Sequence, residues 1–155
     1  AGFSVDDLYA VGWNGEIWYF NGRTWTNEHS PTNFILNSVV CTSRGRVYVC
    51  GRHGTLLRGR SGRWELVDLE DFDEDLWSMV EYRDAIYAAS MDMLIRIAGD
   101  EVEVVDVADI IGDDDEDELG LSFGQLSVAG DTLCSIGEID VLLFDGTDWT
   151  RVPTE

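Results

Sequence analysis

Residues 47–64 read VYVCGRHGTLLRGRSGRW, and this stretch decides the fold. Residues 46–51 alternate with period two, the pattern of a strand with one buried face. Two turn dipeptides, His53-Gly54 and Ser61-Gly62, cut the rest of the stretch into short pieces. Residues 55–58 and 64–68 are the strands that these turns deliver, and residues 38–42, ahead of Arg44-Gly45, supply a fourth. No window sustains a 3.6-residue period; only residues 107–111 invite a single helical turn.

Working outward, the same unit recurs. Tyr48 in VYVCG is matched by Tyr9 in LYAVG and Tyr87 in IYAAS, 39 residues to either side. The pairs Gly12/Gly51, Gly15/Gly54 and Trp25/Trp64 keep that offset. FNGRTW at 20–25 returns as FDGTDW at 144–149, a shift of 124, or three repeats plus seven residues. Asn14-Gly15, Asn21-Gly22 and Asp145-Gly146 are strong hairpin signals, because a primed turn needs positive φ at both central residues. The third copy places strands at 77–82, 85–89, 94–97 and 102–107, the fourth at 125–128, 132–136, 141–144 and 148–152. The repeats fall at about 1–30, 31–70, 71–110 and 120–155, in one domain spanning 1–155, with an acidic insertion at 112–119. In the second copy the innermost strand begins about ten residues before its Tyr. The same offset from Tyr9 precedes Ala1, so the first copy is expected to be incomplete and the strands to number fifteen. Open strand edges would admit pairing of two chains as a homodimer.

Four short antiparallel strands per ~40 residues is the pattern of a β-propeller blade. The string G-x-x-G-x-[IL]…G-x-x-W, with close variants, resembles the repeats of the BNR-like and YCF48-like propeller families across essentially the whole chain. That resemblance implies an all-β architecture of about four blades, with Trp25, Trp64 and Trp149 wedged between neighbouring blades; it implies no particular reaction. Of the sialidase-type Asp-box S-x-D-x-G-x-T-W only the tail remains, as Gly22-Arg23-Thr24-Trp25.

Charge narrows the function. Across 155 residues, 31 Asp and Glu face ten basic residues, all Arg, for a formal −21. Nucleic acid and anionic membrane, both negative, are thereby disfavoured as partners. The charge is also segregated: residues 1–64 hold four acids and seven arginines, residues 65–155 hold 27 acids and three arginines. Hydrophobic residues reach 45%, enough for a core. No 18-residue apolar run occurs, so no spanning helix is expected, and the N-terminus shows no basic-then-apolar leader pattern, although a leader already removed would leave no trace. Three cysteines (Cys41, Cys50, Cys134) without CxxC spacing fit a reducing, cytoplasmic setting. A Cys41–Cys50 bridge would require the two to face each other across a hairpin.

Two acidic runs are the candidate partner-binding residues: Asp71, Phe72, Asp73, Glu74 and Asp75, preceded by Glu70, and Asp113, Asp114, Asp115, Glu116, Asp117 and Glu118. Each falls between the last strand of one blade and the first of the next, and propeller geometry gathers such connections on one rim. Clustered negative charge there suits a basic protein partner, with Phe72 and Trp77 as aromatic anchors; as solvated loops the runs would only aid solubility, and Phe72 would staple its loop. The D-x-D-x-D spacings lack the Gly and Glu of a calcium loop, and His29, His53 and the cysteines offer no zinc spacing, so no metal site or cofactor is assigned, with loose divalent-cation binding at the acidic runs left as an alternative. No nucleophile motif or phosphate loop stands out, so no catalytic residue is assigned. The arginines of the second copy (Arg44, Arg46, Arg52, Arg58, Arg60, Arg63) would pair with neighbouring acidic copies, or with a second molecule head to tail. The expectation is a non-catalytic binding module of immunity or antitoxin type that neutralises a basic toxin. The alternatives are a scaffold or subunit of a larger propeller and a carbohydrate-acting propeller enzyme.

Overall fold

The computed structural model describes residues 1–69, 72–107 and 121–153, and these are almost entirely strand and turn. The first sheet contains β1 (Gly2–Ser4), β2 (Asp7–Val11), β3 (Ile17–Phe20) and β4 (Trp25–Glu28); the second β5 (Leu36–Cys41), β6 (Val47–Gly51), β7 (Leu56–Arg60) and β8 (Arg63–Leu66). The third is built from β9 (Ser78–Tyr82), β10 (Ala85–Ala89), β11 (Leu94–Ala98) and β12 (Glu101–Val104). The fourth is built from β13 (Gln125–Ala129), β14 (Thr132–Ile136), β15 (Val141–Phe144) and β16 (Trp149–Arg151). Each sheet is an up-and-down meander in sequence order, the expected blade.

Among the described residues the strands number sixteen, one more than the fifteen expected. The missing strand is β1, three residues long, paired to β2 through Gly2↔Leu8 and Ser4↔Asp7. It fits because only Val5 and Asp6 separate β1 from β2, whereas residues 42–46 separate β5 from β6. The backbones of Ala1 and Tyr9 exchange hydrogen bonds at 2.8 and 3.1 Å, which continues the pairing of this short strand. The helical turn expected at 107–111 lies, beyond Val107, outside the described residues.

The chain divides into two compact units, Ala1–Met79 and Val80–Glu155. In the first, Tyr9, Ile17, Leu36, Val47, Val49 and Leu57 form a buried cluster between the first two sheets. In the second, Tyr82, Tyr87, Leu94, Phe123, Leu133 and Leu142 are among those that do the same between the last two. Period-two alternation produces this: on β6 and β7, Val47, Val49 and Leu57 share the face turned toward the first sheet. A link recurs at each described connection between sheets. Leu36 donates its N–H to the Gly12 carbonyl at 3.0 Å, Leu76 to that of Gly51 at 3.0 Å, and Phe123 to that of Met91 at 2.8 Å. All three donors are buried apolar residues, so each junction is fixed by a backbone bond and an anchor side chain together.

The cysteines are thiols. Cys41 pairs across the hairpin with Val47 and Cys50 with Ser38, so the two sulfurs sit on different rows and the bridge does not form. Burial pushes the Cys50 thiol pKa far up, which makes it an inert core group.

Candidate partner-binding surface

In the first unit the 3₁₀ turn Trp13–Gly15, residues 29–35, residues 52–55 and residues 67–69 and 72–77 all lie at one end of the strands, as the meander requires. The connections stack on one another there. Gly15 (φ +71°) and Gly54 (φ +59°) lie so close under the carbonyls of Thr32 and Phe72 that neither has room for a Cβ. The 39-residue glycine offset thus marks where each connection crosses the preceding turn.

Four of the candidate residues are described here; Asp71 lies outside the described residues. Phe72 is half-buried and its N–H donates to the Leu69 carbonyl at 3.2 Å, so it closes its own loop. Asp73 is exposed. Glu74 is half-buried, and its carbonyl accepts the Gly54 N–H at 2.8 Å. The Asp75 carboxylate turns back to the fold: Oδ1 accepts the His53 N–H at 3.0 Å and Oδ2 lies 3.6 Å from Arg52 Nε. It serves the positive-φ turn at His53-Gly54 by capping its backbone and pairing with the arginine before it. Leu76 is fully buried and Trp77 next to it is 41% exposed, an anchor and a free ring side by side.

Two exposed aromatics on this rim escaped the sequence reading. Trp13, 72% exposed, rides the 3₁₀ turn, and Phe34 lies against the His53 ring at 4.7 Å between centroids. A shallow hollow of about 570 Å³ runs beside Phe34 and His53, bounded also by Pro31 and Leu66. Neither ring fits a strand alternation, and that is the signal that was available: an aromatic in a turn has no core to face.

The run Asp113, Asp114, Asp115, Glu116, Asp117 and Glu118 lies outside the described residues. Its return into β13 is firmly held. Ser122 donates its N–H and its hydroxyl to Asp140 Oδ2 at 2.8 and 3.3 Å, and the Ile139 N–H donates to Ser122 Oγ at 3.0 Å. The Asp140 side chain is fully buried, and its other oxygen lies 2.7 Å from Arg151 Nε. That N–H is not aimed at the oxygen, so the contact is an ion pair rather than a hydrogen bond.

The second-copy arginines find partners mainly within the first two copies. Arg58 pairs with Glu65 at 2.8 Å and Arg60 with Asp7 of the first sheet at 2.7 Å, while Arg52 reaches Asp75 of the third copy. Among the described residues no three His, Cys, Asp or Glu converge on a metal-sized site. No helix among them is long and apolar enough to cross a membrane.

The tryptophan expectation is corrected in part. Trp64 does wedge onto the neighbouring sheet, edge-on to Tyr9 at 5.9 Å with its indole N–H donated to Glu28 at 2.7 Å. Trp25 is exposed and lies tilted at 34° against Phe20, its own cross-strand neighbour, at 5.1 Å, whereas Trp149 stacks on its cross-strand neighbour Phe144 at 4.7 Å and also packs against the cluster between the last two sheets. The cross-strand partner explains the split, because β7 has Gly59 at the position of those phenylalanines. A Cβ on Gly59 would stand 2.9 Å from the Trp64 ring.

Four four-stranded antiparallel sheets in series also describe solved proteins. The chain superposes on YCF48 from Cyanidioschyzon merolae with a TM-score of 0.71 at 13% identity, covering 97% of this chain and 53% of that one. YCF48 bound to D1 peptide gives 0.69 at 11%, over 99% and 52%. The fold is a β-propeller type. The extracellular domain of the putative one component system BT4673 from B. thetaiotaomicron gives 0.71 at 16%, over 97% of this chain and 21% of that one. At such identities the likeness concerns the fold alone. In sequence, the chain is 41% identical over 151 residues to Immune protein Tsi7 of Pseudomonas aeruginosa, covering 97% of this chain. It spans 47% of the length of that relative. No family model matches the chain.

Proposed function

We propose that this chain is a non-catalytic, immunity-type binding module that neutralises a basic toxin through an acidic rim. The observation that carries the reading is the 41% identity, over nearly the whole chain, to a protein named as an immune protein. The charge says how such a protein would act: 27 of 31 acids lie in residues 65–155, and eleven of these form the two runs at 70–75 and 113–118. An opposed basic surface offsets their mutual repulsion and accelerates encounter. Asp73 and the run from Asp113 to Glu118 are the contact carboxylates in this reading, with Trp77, Trp13 and Phe34 as apolar anchors. Asp75 serves the fold, and Phe72 its own loop. The partner is a protein rather than nucleic acid or membrane, and the setting is cytoplasmic.

Calorimetric titration against a purified candidate toxin partner tests the reading. Raising salt from about 50 to 500 mM is expected to weaken binding by tenfold or more. Neutralising Asp113–Glu118 to Asn and Gln is expected to weaken it at low salt only. Affinity indifferent to both would overturn the acidic-rim account.

A second reading is a scaffold or part of a larger propeller, which the likeness in fold to longer propeller-type chains supports. The chain spans 47% of Immune protein Tsi7 and 52–53% of the YCF48 chains. Light scattering distinguishes a monomer from a pair joined through open blade edges.

A further inference from the structure

Strand register gives every sheet two faces, and equivalent positions follow from one copy of the repeat to the next. In each unit one face of the later sheet packs on the earlier sheet. Leu57 of the second sheet shares a buried cluster with Tyr9 of the first, and Leu142 of the fourth shares one with Tyr87 of the third. The register places Trp18 of the first sheet at the position of Leu57 and Leu142. Leu8, Ala10, Phe20 and Trp25 lie on the same face of that sheet. Leu57 and Leu142 are fully buried, but Trp18 is 37% and Trp25 48% exposed. The fourth sheet shows the converse. The face equivalent to that of Tyr9 and Tyr87 carries Cys134, Ile136, Val141 and Leu143, with Ile136 49% exposed.

We infer that the Trp18 face of the first sheet docks on the Cys134 face of the fourth sheet of a second copy of this chain. Two changes within the repeat make these faces complementary. Trp18 is larger than its equivalents Leu57, Ile95 and Leu142, and Cys134 is smaller than its equivalents Tyr9, Tyr48 and Tyr87. Brought together as Leu57 meets Tyr9, they exchange a large–small pairing for a small–large one and keep the volume of the junction. Leu143 also takes the position that Arg58 and Arg96 hold in the second and third sheets. None of the named positions on either face is charged, in a chain of which 26% of residues are. Two neutral, apolar faces suit one another and offer a basic toxin no carboxylate. Each copy has both faces, so two copies exchange them reciprocally. The contact joins faces rather than strand edges. It rests on the reading of the chain as part of a larger propeller and is independent of the acidic rim.

Light scattering of the intact chain over a concentration series is the test. The expected result is a species of twice the 17.4 kDa chain mass at high concentration. Raising salt screens the repulsion between two chains of formal charge −21, so it is expected to preserve or strengthen pairing, the reverse of its effect on toxin binding. Trp18→Glu and Ile136→Glu each put a charge on one face at an exposed position, and each is expected to weaken pairing at least about hundredfold with circular dichroism unchanged. Trp25→Ser is the milder second variant on the first face, expected to weaken it about tenfold. Mixing the two Glu variants leaves one contact intact, the Trp18 face of one on the Ile136 face of the other, and is expected to restore a pair. A mass of 17.4 kDa at every concentration would overturn the inference and leave the larger-propeller reading to a different partner chain. A doubled mass retained by both Glu variants would overturn it in favour of strand edges. A mixture that stays monomeric would overturn the head-to-tail arrangement.

Discussion

The junction between the first two sheets and the junction between the last two are built from the same repeat and packed differently. Both place a buried tyrosine, Tyr9 or Tyr87, opposite a tryptophan at the start of an outer strand. In the first, Gly59 leaves room for Trp64 to cross to the neighbouring sheet, and Glu28 receives its N–H. In the second, Phe144 takes that room, and Val105 stands where Glu28 does. One cross-strand residue thus decides whether a repeated tryptophan crosses to the neighbouring sheet or stacks on its own. The lesson is general for repeat folds: the motif fixes where a ring starts, and its ladder partner fixes where the ring goes.

The comparison is broken most severely by making the first junction like the second. Gly59→Phe must displace Trp64 and also meets the Arg63 carbonyl, so it is expected to destabilise by on the order of 3 kcal/mol, read by denaturant unfolding of the isolated variant. Next come the two carboxylates that brace connections. Asp140→Ala strips a buried acceptor from Ser122 and leaves Arg151 without its ion pair, and is expected to cost about 2 kcal/mol. Asp75→Ala removes a partly exposed brace and is expected to cost about half as much, in the same assay. Glu28→Ala deprives the Trp64 indole of its acceptor and is expected to cost about 1 kcal/mol; Val105→Ala in the second junction would leave indole hydrogen bonding untouched.

The smallest effect concerns pH. The Asp145 carboxylate accepts the N–H groups of Asp148 and Thr147, and these bonds hold its pKa below the usual carboxylate value. A lowered folded pKa means that the contribution is present above the unfolded value of about 3.9 and is lost as pH falls through the lowered one. In the first sheet Asn21 makes the same pair of bonds to Arg23 and Thr24 without a titrating group. Asp145→Asn is therefore expected to leave the melting temperature at pH 7 nearly unchanged and to flatten its decline in acid, as thermal scans from pH 7 to below 3.9 would register.

Most of the fold was legible because its signals are local and repeated. Residues 85–89, 132–136 and 141–144 are strands as read, since the repeat places them and Asp145-Gly146 closes the last. The strand β1 was not legible, because three residues carry no periodicity and only its two-residue turn makes it fit. The site was legible as composition and not as orientation. Asp73 and Asp75 are the same residue type two positions apart, yet one faces solvent and the other caps His53. That difference arises from the turn at His53-Gly54, about twenty residues away in sequence. Trp13 and Phe34 were missed for a related reason, since a turn aromatic shows its exposure only once the turn is placed.

The central claim is that the segregated negative charge of residues 65–155 is the toxin-binding determinant. The most direct measurement is the association rate of the intact chain with the proposed toxin partner, by stopped flow, across a series of salt concentrations. A steep fall in that rate as salt rises, shared by the Asp75→Ala variant and flattened when Asp113–Glu118 are neutralised, is the predicted result. A rate independent of salt in all three proteins would contradict it.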